Sequence, residues 1–336
     1  EPLRRELLAD RPRLDERDAG VDRVLEEPAQ PGSERVFLGQ ALGFEDLAGP
    51  GHRLAMTTLH QADLDLIARD AALPGLRCVL DPQRLVEVLG ARAFARPIDE
   101  IRLTYVRYRP GRDCVGRYTV SFGGRQHLAY AKTFGMDAAP KLAKTAGRAG
   151  VAGPNGAGRI AAPEQALLFS WFPNDRKLRS LERLGDGLAW DRLVERVFKG
   201  DASWLGSSYQ VLNYKPEKRL VCRLEQAAGR RATVKFYTPA EFRRVVHLRR
   251  NRAFPPTLAA PRYIGGSRKH CVHAFEWLPG RNLRELSLDP DGGSGQHRHA
   301  GHLLAELHAC GPGALLPGNG QALAAAARSI ADQLAC

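Results

Sequence analysis

Lys235 is the residue whose type and setting most suggest chemistry. In Thr233-Val234-Lys235-Phe236-Tyr237, Val234 and Phe236 point to one face of an extended segment and Lys235 to the other, alone among apolar neighbours. A lysine so placed can meet a phosphate as a point charge. Upstream, the turn Lys215-Pro216-Glu217-Lys218, followed by Arg219, gathers cations that could cover the same anion. Downstream, Cys271 to Trp277 reads as a strand running into Leu278-Pro279-Gly280. Proline and glycine end the strand there, and such a crossover offers free backbone groups to a flat heterocycle.

Three antiparallel strands must hold the lysine, in the stretch from Leu212 to Tyr237. Pro216 fixes its own φ and pushes Lys215 out of helical geometry, which makes the first turn. Leu220, Cys222 and Leu224 alternate with Arg219, Val221 and Arg223, the period of a half-buried strand, and Gly229-Arg230 turns the chain again. The same framework occurs earlier. Tyr108, Pro110, Val115 and Arg117 recur as Tyr214, Pro216, Val221 and Arg223, each pair 106 positions apart. Each hairpin follows a helical run, RLVEVLG after Asp81-Pro82 and RLVERVF at Arg192 to Phe198, and precedes a strand with one lysine, Lys132 or Lys235. FSWFPNDRKL from Phe169 matches FEWLPGRNL from Phe275 at the same spacing. Two anchors at one offset indicate tandem duplication of an α+β unit.

In the order lysine strand, acidic-aromatic hinge with Pro-Gly, then helix, the chain resembles the N-terminal lobe of the aminoglycoside phosphotransferase and choline kinase-like family, a branch of the protein-kinase fold. TVKFY around Lys235, FEWLPGRNLREL (Phe275 to Leu286) and HLLAELHA (His302 to Ala309) carry the resemblance. It implies ATP as cofactor, with Lys235 on the phosphates, the Glu276, Trp277 and Leu278 backbone on adenine, and Lys215 and Lys218 near the phosphates. The expected fold is α+β: two tandem kinase-like N-lobes, each an antiparallel sheet plus helices, then the start of a helical C-lobe. The expected boundaries are a charged, flexible tail (1–35), a helical segment (36–80), a degenerate first lobe (81–186), a second lobe with hinge (187–290) and the helical start (291–336).

The implied activity is ATP-dependent phosphoryl transfer to a small-molecule hydroxyl. The family's HxDxxxxN loop and later metal-binding aspartate do not occur in the sequence. The expectation is therefore a fragment, inactive as given, with no catalytic residue of its own and with magnesium joining only the full-length protein. A non-catalytic nucleotide-binding or regulatory module is the alternative. Glu241 opens the helix AEFRRVVHLRR and suits the N-terminal dipole better than a role as partner of Lys235. In the first copy Ser170 stands for the hinge glutamate and Asn174-Asp175 for the glycine after proline. Lys132 is accordingly read as structural, and the first lobe as packing on or regulating the second.

Composition bounds the remaining classes. The net charge is +13, but nine of the 50 basic residues are lysine and 41 arginine, in a chain rich in Ala, Gly and Leu. That is the bias of a GC-rich genome, so no nucleic-acid partner is expected. No apolar run approaches the roughly 18 residues that would suggest a membrane span. Six scattered cysteines without a CxxC pair fit free thiols in a reducing cytoplasm. Three local features get plain readings: His60 and Asp63 as a surface helix pair, His297, His299 and His302 as a polar helix start, and AGVAGPNGAGRI (Ala149 to Ile160) as a flexible connector.

Overall fold

Two aspartates set where the main supporting helices begin. Asp81 accepts from the backbone N–H groups of Gln83 and Arg84 (3.0 and 3.1 Å), with Pro82 in the first turn; Asp186 accepts likewise from Leu188 and Ala189. The computed structural model describes residues 59–94, 96–154, 156–250, 260–280 and 293–309. All of them fall in one compact unit, residues 39–336. The expected tail 1–35 lies outside the described residues, as does the helical segment before residue 59.

The described part is α+β. Helices α1 (Gln61–Arg69), α2 (Leu76–Leu80) and α3 (Pro82–Leu89) come first. His60 and Asp63 are the two halves of a capping box on α1: the His60 ring accepts from Ala62 N–H, and the Asp63 carboxylate accepts from His60 N–H. An antiparallel sheet follows, from β1 (Glu100–Arg109), β2 (Asp113–Phe122), β3 (Arg125–Phe134), β4 (Arg159–Ala162) and β5 (Leu167–Trp171), with α4 (Ala139–Ala146) after β3. Its strand order is β1-β2-β3-β5-β4. Helix α5 (Gly187–Val197) leads into a second antiparallel sheet, β6 (Ser208–Lys215), β7 (Arg219–Glu225), β8 (Arg231–Tyr237), β9 (Tyr263–Ser267) and β10 (Val272–Glu276), with α6 (Pro239–Arg250) after β8. Its order, β6-β7-β8-β10-β9, is that of the first sheet. Helix α7 (Gly293–Ala309) carries His297, His299 and His302, and His302 lies 3.1 Å from Glu306 one turn on.

Period-two patterning decides the packing. On the first sheet Cys114, Tyr118, Val120, Ala129, Ala131, Phe169 and Trp171 form one buried core with Leu76, Val79 and Leu85 of the leading helices. On the second, Leu220, Cys222, Leu224, Val234, Phe236, Val272 and Ala274 bury against Trp190, Leu193, Val194 and Val197 of α5. Val115 and Tyr130, from the other face of the first sheet, belong to this second core. Both faces of the first sheet are thereby covered. Cys78, Cys114 and Cys222 are buried free thiols and Cys271 is half-buried, while Cys310 and Cys336 lie outside the described residues.

The glycine-rich stretch is a pinned loop and not a loose connector. Val151 N–H donates to the buried Asn174 Oδ1 (3.0 Å), and Asn174 Nδ2 donates back to Val151 O (2.8 Å). Gly153 lies so close to the Trp171 ring that a Cβ there would be 2.3 Å from Cδ1, so glycine is required by packing as much as by chain freedom. Among the described residues no helix is long and apolar enough to cross a membrane.

Candidate functional site

Lys132 and Lys235 occupy the same place in the two sheets, each opposite a valine of the preceding strand, Val115 or Val221. Their surroundings differ. Lys132 is 1% exposed, and its Nζ donates to Glu217 Oε2 at 2.7 Å, with Asp113 Oδ2 at 3.4 Å. Glu217 reaches it from the β6–β7 turn of the second sheet. Arg176 Nε and Nη2 donate to the same carboxylate at 2.6 and 3.1 Å. Burial favours a protonated Glu217, but the Arg176 hydrogen bonds and the Lys132 charge outweigh it and hold the pKa at about 2.

The turn that delivers Glu217 is itself unusual. Glu217 has φ +57°, where its counterpart 106 positions earlier is Gly111, φ +62°. A side chain in that left-handed region costs about 1 kcal/mol, which glycine avoids. Asp175, fully buried, holds the turn in place. Its Oδ2 accepts from Glu217 N–H and Tyr214 Oη–H, and its Oδ1 from Lys177 and Leu178 N–H, all at 2.8 Å. Burial nonetheless raises the Asp175 pKa above the ordinary carboxylate value. Arg117 Nη1 donates to the Tyr214 carbonyl, a further link between the sheets. The face of the first sheet that carries its lysine is thus filled by the second unit.

Lys235 faces away from its own core. It is half-buried, its Nζ lies 5.0 Å from the centroid of the Phe275 ring, and among the described residues no carboxylate pairs with it. Burial, with Arg219 adding to it, lowers its pKa. Register places Arg219, Val221, Arg223, Thr233 and Phe275 on the same face, with the buried His273 directly opposite Lys235 on β10, and the Arg223 guanidinium lies 5.6 Å from the Trp277 ring. A half-buried cation with no carboxylate partner among the described residues, beside aromatic side chains and two further arginines on a sheet face, is suited to an anionic ligand with a flat apolar part. Glu241 stands in the first turn of α6 with Arg244 at 3.9 Å.

The other expected residues are spread around this lysine. Glu276 is exposed, its carboxylate 3.5 Å from Arg262, and its N–H donates to the Arg262 carbonyl at 2.8 Å. That N–H is therefore already engaged. The 106-residue spacing equates Ser170 with Glu276, but sheet register does not: Ser170 lies opposite Tyr130, and the corresponding residue, opposite Thr233, is Phe275. A one-residue offset moves a side chain to the other face, which is why Phe275, not Glu276, accompanies Lys235. Lys215 lies on that face two strands from β8, its Nζ 6.0 Å from the Tyr105 ring of the first sheet. Lys218 is exposed at the turn and borders a cleft at the end of the sheet. Sequence reading missed Glu217 and Asp175 as the buried members of this region. The one available signal was that glutamate stands at a turn position that is glycine in the matching hairpin.

A five-stranded antiparallel sheet with a lysine on its third strand, a helix after that strand and a crossover leaving its last-formed strand is the arrangement of a kinase-like N-lobe. Within that class, residues 198–336 match the model of APH, the phosphotransferase enzyme family. The resemblance carried by TVKFY, FEWLPGRNLREL and HLLAELHA therefore holds over the second unit; the first sheet lies outside the matched residues. No curated protein and no solved structure matches the chain.

Proposed function

We propose that the Lys235 face of the second sheet is one half of an ATP site, and that the protein to which it belongs transfers a phosphoryl group to a small-molecule hydroxyl. Lys235 would meet the phosphates. The adenine would lie against Val221, Thr233 and Phe275, with the Trp277 and Leu278 backbone at its edge. The observation that carries the reading is the contrast between the two lysines: one is neutralised by Glu217, the other has no carboxylate partner among the described residues. Catalysis in this class is positioning and charge stabilisation, so a sheet can supply binding and orientation but not the whole machinery. Magnesium would neutralise phosphate charge when bound. Among the described residues no group of three or more Asp, Glu, His or Cys is placed to hold a metal ion.

A second reading, a non-catalytic regulatory role, is favoured for the first sheet, whose lysine is buried against Glu217. We regard the two sheets as copies of one ancestral lobe, with shared strand order and equivalent lysines in support.

Lys235→Ala is expected to weaken ATP binding by about 10- to 150-fold, the loss of one charged hydrogen bond of roughly 1.5–3 kcal/mol. Titration calorimetry of the chain and the variant checks this, and unchanged affinity would remove Lys235 from the site. Lys132→Ala distinguishes the copies. It is expected to reduce stability while leaving the intrinsic ATP affinity of the folded fraction unaltered, as judged from thermal unfolding and calorimetry together.

A further inference from the structure

A cleft of about 760 Å3 opens at the end of the second sheet, where the β6–β7 turn, the start of α6 and the β9–β10 turn meet residues 176–180. Arg179, Lys218, Arg243 and Lys269 stand on its walls, all exposed and none paired with a carboxylate among the described residues. At its back, Arg107, Arg176 and Lys177 converge on the single carboxylate of Glu217 at 3.9, 2.6 and 3.7 Å. The other acid on the lining is Glu241, near Arg244. Seven lysines and arginines therefore face two carboxylates, one of them already shared among several cations. A concave wall of one sign concentrates the field that counter-ions feel. The first turn of the 12-residue helix α6 also borders the cleft and adds a positive helix end to the side chains. Leu178 and Phe236, both members of the buried core, line its floor, whereas Lys235 points to the opposite face of β8 and does not border it.

We propose that this cleft is a second anion site, separate from the Lys235 face, for a small ligand bearing two or more adjacent phosphate groups. The four unpaired cations come from four chain segments, so a chain of phosphates satisfies more of them than a single phosphate can. Single-stranded nucleic acid fits less well, because it needs a continuous basic track with aromatic platforms, and here the cations border a single cleft.

The test is calorimetric titration of the full chain with inorganic tripolyphosphate, in parallel with monophosphate and with a short single-stranded oligonucleotide. Saturable binding of tripolyphosphate is expected, with monophosphate about tenfold or more weaker. The triple variant Arg179→Ala, Arg243→Ala, Lys269→Ala should lose about tenfold or more in affinity, while Lys235→Ala, which removes only the proposed ATP-phosphate contact, keeps saturable tripolyphosphate binding. All three altered side chains are exposed, so an unchanged unfolding curve accompanies a true loss of binding. Four outcomes overturn the proposal: no saturable binding, full affinity in the triple variant, loss in Lys235→Ala alone, or tighter binding of the oligonucleotide. Because Lys235→Ala is scored on its own, failure here leaves the ATP reading standing, and failure of the ATP reading leaves this one standing.

Discussion

Glu217→Ala is expected to destabilise the protein by about 3 kcal/mol, because it leaves a buried lysine short of its closest counter-charge. Lys132 is 1% exposed, and without Glu217 it retains Asp113 at 3.4 Å, which Arg109 also engages. Arg176 can turn to solvent, since a third of its side chain is already exposed. The loss should therefore fall chiefly on Lys132. Two comparisons isolate the cause. Glu217→Gly should be milder than Glu217→Ala by about 1 kcal/mol, because φ +57° suits glycine. Lys132→Met combined with Glu217→Met should recover more than half of the loss, since apolar groups of similar volume replace a buried pair at little cost. Urea unfolding of the set measures all three, and a double variant no better than Glu217→Ala would rule out the ion pair as the cause.

The same residue sets an acid limit. Its folded pKa of about 2 lies below the ordinary 4.5, so its contribution is complete above about pH 4.5 and fades as the pH falls towards 2. Asp113 is also shifted down: burial works against the shift, and the Arg109 hydrogen bond and Lys132 charge exceed it, so it adds to the same slope. Asp175 has the opposite sign, because its raised pKa makes its contribution weaken as pH rises. Midpoints of thermal unfolding between about pH 5 and pH 2 should decline steeply in the parent and less steeply in Glu217→Gln.

Asp175→Ala is expected to cost a comparable amount, about 3 kcal/mol, through donors left without acceptors. Tyr214 Oη–H and Glu217 N–H are buried and both rely on Oδ2. Asparagine should be nearly as damaging as alanine. Its oxygen can serve Lys177 and Leu178, but its NH2 then confronts Glu217 N–H, a donor against a donor. The variant should also release the turn that positions Glu217, so the two losses should fall short of additive when combined, which a double-mutant cycle in urea measures. Full additivity would mean that the two carboxylates act independently.

Much of the fold was legible because it rests on local rules. Alternation at Leu220, Cys222 and Leu224, the Asp81-Pro82 start and the Pro216 turn each follow from one residue's own preferences. The place of Lys235 was legible for the same reason. What was not legible depends on chain segments far apart. Glu217 meets Lys132 across 85 residues, and nothing in KPEK says that the acid, rather than either lysine, will turn inward. The one-residue offset between Ser170 and Glu276 is likewise set by strand register, which side-chain similarity does not report. The glycine-rich stretch looked loose because the polar groups that pin it belong to Asn174, well downstream.

The shared core has a practical meaning for anyone who would cut this chain. The family match begins at residue 198, yet α5, which supplies Trp190, Leu193, Val194 and Val197 to the second sheet, ends at Val197. An excision along the matched boundary would strip that sheet of its cover and leave Tyr214 and Glu217 without Asp175, Arg176 and Lys132. The stretch that the family match outlines and the unit of stability are thus different lengths of chain, and the smallest piece that keeps this network intact includes the first sheet.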